Sequence, residues 1–292
     1  MEKFEIKDHE PSFLPEGKNW KLAWSDEFDG DTLDESKWDF RLNFWGRRFE
    51  AYTDKGVVVR NGCVELHRTE KDGHYVSPQL QTGCNSFDVP KDSSGNPWGQ
   101  DEIWRLGELK PAKFEHRYGY YEVRCKFQKE PDVMWSAFWL QSSSIGTTYN
   151  PAWSGVENDI MEHFYPDTAS SGNIYGGYGK QYTSEGRANY PVKKTEDEFH
   201  RFGMLWTKDG YVFYCDGEEV SRCNKGVSQV PQFILLTTEV RGHRNKTPLK
   251  IGEYSTDYRG IRVGTIQRRG TEFVDDAFIV DYVRVFDEVE EE

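Results

Sequence analysis

Hydrophobic and polar residues alternate in short runs along most of this chain, and the alternation has the period of strands rather than of helices. Trp20 to Gly30 alternates and then ends in an acidic turn. Val57 to His67 has the pattern of a hairpin turning at Asn61-Gly62, because two residues that tolerate positive φ match the twist of the flanking strands. Tyr211 to Cys223 repeats that pattern around Asp216-Gly217. Further strands are expected at Tyr118 to Phe127, Trp135 to Leu140, Phe199 to Trp206, Phe233 to Val240 and Ala277 to Phe286. Short strands punctuated by Gly, Pro and Asp point to an all-β sandwich.

Polar stretches at 68–116, 141–155, 166–198 and 241–272 separate these strands and read as long, functional loops. Residues 1–19 read as a loose polar leader, 20–287 as a single domain and 288–292 as an acidic tail in solvent. The N-terminus lacks the apolar core of a signal peptide, as expected of an intracellular chain or of one whose signal has been removed.

One apolar run carries unusual chemistry. Between Val156 and Phe164 stand three carboxylates, Glu157, Asp159 and Glu162, among Val156, Ile160, Met161 and Phe164. Burying a carboxylate is costly unless it is paired or used. Strand parity places Glu157 and Asp159 on one face and Glu162 on the other. All three meet one face only if a β-bulge at about Ile160-Met161 inserts an extra residue. The two glutamates are then four strand steps apart, roughly 13 Å between Cα atoms at ~3.3 Å per step. Glutamates that lean toward each other from such positions suit a retaining glycosidase, in which one attacks the anomeric carbon and the other handles the leaving-group proton.

Composition narrows the partner. Of the 292 residues 15% are aromatic, yet mean hydropathy is −0.82, a combination suited to stacking on a polar, flat-faced ligand such as a sugar. A net charge of −13 argues against nucleic acid and against an anionic membrane. The expected partner is a polysaccharide, bound by a monomer. Arg47, Arg48, Arg105 and Arg244 could still form a local basic site that reads sulfate. The five cysteines show no Cys-x-x-Cys spacing. Hairpin register puts Cys215 opposite Glu218 and Cys223 opposite Gly210, so these two cannot bridge and free thiols are expected.

The spacing Glu157-x-Asp159-x-x-Glu162 resembles the signature of the family 16 glycoside hydrolases in its bulged form, and Asp159 to Glu162 is similar to that of laminarinases. Trp24 to Gly30, Tyr118 to Arg124, Trp135 to Leu140, Phe213 to Gly217 and Asp281 to Val285 resemble other family segments. The resemblance implies a β-jelly-roll sandwich of two antiparallel sheets with a concave cleft. It further implies endo-cleavage of a β-linked glucan or galactan with retention, Glu157 being the nucleophile, Asp159 its assistant and Glu162 the acid/base. No cofactor is implied for catalysis.

By the same resemblance Trp135 and Trp139 line the cleft, and Asn43, Trp45 and Arg47 lie along its donor side. Tyr175 stands where many relatives carry a histidine on the strand after the catalytic one. His163 and His200 read as structural. A structural calcium ion is implied at Glu27, the carbonyl of Gly62 and Asp281, since oxygen donors suit a hard cation. Substrate expectations run from a β-1,3-glucan to a red-algal galactan such as agar, porphyran or carrageenan. A transglycosylase and, from another class, a non-catalytic carbohydrate-binding module remain on the same fold.

Overall fold

The computed structural model describes residues 1–44, 46–86, 88–89, 103–104, 106–128, 134–165, 167–240, 254–256, 262–264 and 273–290. Its principal strands are β1 (Asn19–Asp26), β2 (Val57–Arg60), β3 (Cys63–Lys71), β4 (His74–Gln81), β5 (Gly119–Lys126), β6 (Met134–Gln141), β7 (Glu157–Tyr165), β8 (Thr168–Tyr175), β9 (Thr183–Pro191), β10 (Phe199–Thr207), β11 (Gly210–Cys215), β12 (Glu218–Cys223), β13 (Phe233–Val240) and β14 (Phe273–Val289). A one-turn helix, α1 (Pro151–Ser154), precedes β7 and is N-capped by the Asn150 side chain.

These strands hydrogen-bond in the order β9-β8-β7-β6-β13-β4-β3-β14-β5-β10-β11-β12, with β1 added to β14 and β2 to β3. β4 serves both halves: Gln79–Gln81 pair with β13, while His74–Val76 pair with β3. The sheet thereby curls over to face itself as a jelly-roll sandwich. Phe138, Leu140, Ile160 and Met161 from one half pack against Tyr121, Phe202, Met204 and Val283 from the other. Each strand sends alternate residues inward, so apolar alternation in the sequence becomes one continuous core.

Both hairpins turn where expected. Asn61 and Gly62, like Asp216 and Gly217, have positive φ. The second hairpin carries a bulge that shifts its register, so Cys223 lies opposite Tyr211 rather than Gly210, while Cys215 faces Glu218. All five cysteines are free.

The first nineteen residues are not a loose leader. Glu2–Phe4 pairs with Ser12–Leu14, and Leu14 and Phe4 pack with Tyr120, Leu205 and Phe286. Arg284 donates to the Glu10 carbonyl and to Ser12 Oγ, tying this hairpin to β14. The last strand runs past residue 287: Glu288 pairs with Trp20, and Lys18 Nζ reaches its carboxylate at 2.6 Å. The stretches 68–116 and 166–198, read as loops, contain β4, β8 and β9.

Candidate active site

β7 does bulge. Opposite β6 its register steps from Phe138–Met161 to Trp139–Asp159, which leaves Ile160 as an extra residue. Against β8 the same slip occurs between Asp159–Gly172 and Glu162–Ser170. Ile160 and Met161 are consecutive yet both fully buried in the core, so the chain reverses its parity there. Glu157, Asp159 and Glu162 consequently lie opposite Gln141, Trp139 and Ala137, which alternate along β6 and share one face. Three carboxylates thus form a row on the side of the sheet away from the core.

Each glutamate is held by neutral donors. Trp135 Nε1 donates to Glu162 Oε1 at 3.1 Å, and Ser170 Oγ to Oε2 at 3.4 Å. Tyr178 donates its hydroxyl hydrogen to Glu157 Oε2, and Gln141 Nε2 adds a longer bond at 3.3 Å. Burial, and after it the adjoining Glu157 carboxylate, push the Tyr178 hydroxyl well above its ordinary range, so it remains a donor. Arg187 stands 3.7 Å from Glu162 Oε2. Its side chain is 46% exposed, so solvent holds that attraction to about 1 kcal/mol or less.

Trp135 and Trp139 alternate with Ala137 along β6 and so share the carboxylate face. Trp135 is partly exposed, and Trp139 is buried with its Nε1 donating to Thr237 Oγ1 at 3.0 Å. Asn43 and Arg47 belong to a short hairpin whose Phe44 lies under the Arg41 guanidinium, which also sits 5.3 Å from the Trp139 ring. Trp45, Arg105 and Arg244 lie outside the described residues.

Tyr175 requires a correction. Ile174, not Tyr175, pairs with Glu157, so Tyr175 points to the opposite side of β8, where it packs against Gly226 and the core. His163 also faces the core. It stacks on Phe127 at 3.9 Å, and burial lowers it to about 4 despite a bond to the Thr168 carbonyl. His200 pairs with Asp216 at 2.8 Å.

The calcium expected from the resemblance does not fit the donor set. Arg284 donates to both carboxylate oxygens of Glu27, at 2.7–3.2 Å, and Arg124 holds Asp281 at 2.6 Å. Guanidinium groups occupy the place of a cation. Among the described residues no group of three or more His, Cys, Asp or Glu could hold a metal.

Several residues of this face carry no local sequence signal. Tyr178 and Arg187 come from segments after β8, and Gln141 ends β6. Glu239 lies directly opposite Trp135 on β13, buried, with its Oε1 accepting the Tyr52 hydroxyl at 2.7 Å. A glutamate at the end of an apolar strand could have flagged that position. Nothing local distinguishes Tyr178 from the other tyrosines.

A concave face with a bulged row of three carboxylates and flanking tryptophans defines a carbohydrate-cleaving sandwich. The model for glycosyl hydrolases family 16 matches residues 46–259, a span that includes all three acids. The Beta-porphyranase B of Phocaeicola plebeius is 25% identical over 289 residues, 84% of each chain. The Glucan endo-1,3-beta-glucosidase A1 of Niallia circulans is 27% identical over 68% of this chain, which spans 28% of that longer protein. In fold, the endo-beta-1,3-glucanase of Pyrococcus furiosus superposes over 100% of both chains with a TM-score of 0.62 at 22% identity. The chain belongs to glycosyl hydrolases family 16. It is an endo-acting glycoside hydrolase, and the hydrolysis needs no cofactor.

Proposed function

We propose that this enzyme hydrolyses a β-1,3-glucan of the laminarin type by double displacement, with Glu157 as nucleophile, Asp159 as its assistant and Glu162 as acid/base. The observation that carries the reading is the bulged register of β7, which turns all three carboxylates to one face. Glu157 attacks the anomeric carbon while Glu162 gives its proton to the departing glycosidic oxygen, and a glycosyl ester forms on Glu157. Glu162, now ionised, takes a proton from water, whose oxygen attacks the same carbon and releases Glu157. Retention follows from two inversions. Asp159 lies between the two glutamates and separates their tasks by interacting with one of them. A structural calcium ion has no part in any of these steps.

The β-1,3-glucan assignment draws on Asp159 to Glu162 and on the likeness to the Niallia circulans glucanase. A red-algal galactan is the second reading. Arg187 favours it, as a half-exposed cation beside Glu162, and so does the 84% coverage of the Phocaeicola plebeius porphyranase. Product profiles on laminarin, mixed-linkage glucan, agarose and porphyran distinguish the two. Laminarin oligosaccharides are expected, and hydrolysis of none of the four removes both readings. Glu157→Gln and Glu162→Gln should each lose at least about 1000-fold in turnover, as the loss of a reacting group does. Near wild-type turnover in either would overturn the roles.

A further inference from the structure

Glu157 stands at the end of a directed chain of hydrogen bonds that starts from the Asp88 backbone N–H, in a residue whose carboxylate is anchored by a buried arginine. Arg41 grips Asp88 through Nε at 2.6 Å and a second guanidinium nitrogen at 3.3 Å, both partners being almost fully buried. The Asp88 backbone N–H donates to Asn85 Oδ1 at 3.0 Å, which leaves the Asn85 amide nitrogen to donate to Gln141 Oε1. That in turn fixes the Gln141 amide, whose nitrogen donates to the Tyr178 oxygen and to Glu157 Oε2. With its oxygen already accepting from Gln141, the Tyr178 hydroxyl is oriented to donate to Glu157 Oε2. No link in this order can be reversed without leaving a buried amide facing a like group.

Packing fixes the last link. The turn at Gly176-Gly177 folds the chain back after β8, and the Tyr178 ring sits in a buried cluster with Trp104, Ile145 and Ile174. Asn85, Asp88, Gln141 and Tyr178 are all buried. The phenol donates its hydrogen to Glu157 Oε2.

We infer that Tyr178 is a positioning residue for the nucleophile, with the Asp88 N–H, Asn85 and Gln141 setting the direction of its hydrogen bond. The inference rests on the reading of Glu157 as nucleophile. The donors at Oε2 orient the carboxylate and favour its ionised form before substrate arrives. Among the described residues, charged and titratable groups around Glu157 include Asp159 and Glu162 on β7, Tyr178 and Tyr182 after β8, Arg187 on β9, and Arg41 with Asp88 beside the β6 end. Of these only Tyr178 changes in the test.

The test is Tyr178→Phe, which keeps the ring in its cluster and removes one donor. A hydrogen bond to a charged group governs about 10–100-fold in rate, so kcat should fall by that factor with KM nearly unchanged and the thermal midpoint retained. The acid limb of the kcat/KM profile should move to higher pH. Asn85→Ala, which does not touch Glu157 and removes the donor to Gln141 without adding a charge, should move both readouts in the same direction by less. An unmoved acid limb together with kcat within about twofold of wild type in both variants would overturn the inference. So would a loss of activity matched by an equal loss of folded protein. A mechanism-based fluoroglycoside followed by peptide mapping keeps the two readings apart. Label on a residue other than Glu157 sinks the nucleophile assignment, whereas label on Glu157 with unaltered Tyr178→Phe kinetics sinks only the inference.

Discussion

Trp135 Nε1 donates to Glu162 Oε1 across a 3.1 Å bond, and the same ring remains partly open on the carboxylate face. One side chain thus offers a stacking surface and a donor to the acid/base. Trp135→Phe separates the two, because it keeps an aromatic face and loses the N–H. Its kcat should fall about tenfold, the value of a hydrogen bond to an ionisable group, with KM changed little. Trp135→Ala should raise KM as well. If Trp135→Phe keeps full kcat, the indole N–H does not help to set Glu162.

Ile160 is the extra residue of the β7 bulge. Deleting Ile160 leaves Met161 opposite Phe138 and Glu162 opposite Ala137 in unbroken alternation, so Glu162 stays on the face of Glu157 and Asp159 while the bulge is lost. Turnover should therefore fall by no more than about 100-fold, the cost of a slightly misplaced reacting group, and a loss of about 1000-fold or more would mean that the bulge itself is required. Ile160→Val, which keeps the residue count, should cost about 0.5–1.5 kcal/mol in unfolding free energy and leave kcat intact. Denaturant titration and turnover on the same samples check both outcomes.

The bulge can be read from the sequence because parity is local: residues 157 and 159 agree, 162 disagrees, and the buried pair Ile160-Met161 marks where the extra residue goes. Both hairpins are legible for a similar reason, since Asn61-Gly62 and Asp216-Gly217 carry their turn geometry in two residues. β9 escapes such reading. Thr183–Pro191 is polar and mostly half-buried, sends Ala188 and Tyr190 to the core, and is held mainly by pairing with β8, so it lacks a clear apolar alternation. The N-terminal hairpin escapes because its few apolar residues find partners on β5, β10 and β14, far away in sequence. Tyr178 lies 21 residues beyond Glu157, and only the return of the chain after β8 brings them together.

Arg284 is fully buried and donates to both oxygens of Glu27. Its charge answers the acid that a calcium ion would otherwise neutralise, as Arg124 does for Asp281. Adding millimolar calcium or a chelator should therefore shift the thermal midpoint by less than about 2 °C, well under what a bound stabilising ligand gives. Arg284→Met should lower stability by about 3–5 kcal/mol, the cost of leaving a buried carboxylate without its partner. A large calcium-dependent rise in the wild-type midpoint would show that oxygen ligands gather here after all.

His163 and Glu122 are buried titratable groups that pull stability in opposite directions with pH. Burial lowers His163 from 6.5 to about 4, so below pH 6.5 the unfolded chain takes up a proton that the folded one refuses. Its contribution is complete above pH 6.5 and is lost as pH falls through 4, roughly 3 kcal/mol over the window. Burial raises Glu122 from 4.5 to about 6, although Tyr282 and the Phe13 N–H donate to its carboxylate. The folded protein therefore holds that proton where the unfolded chain releases it. The resulting stability is full below pH 4.5 and is lost as pH rises through 6, roughly 2 kcal/mol. Between pH 6 and 4.5 the two nearly offset each other. Relative to wild type, His163→Gln should gain stability on acidification across that window, and Glu122→Gln should lose it. Urea midpoints at pH 6.5, 5.5 and 4.5 for the three proteins decide the matter, because all other titrating groups are common to them. Parallel curves would mean that neither group titrates as its burial requires.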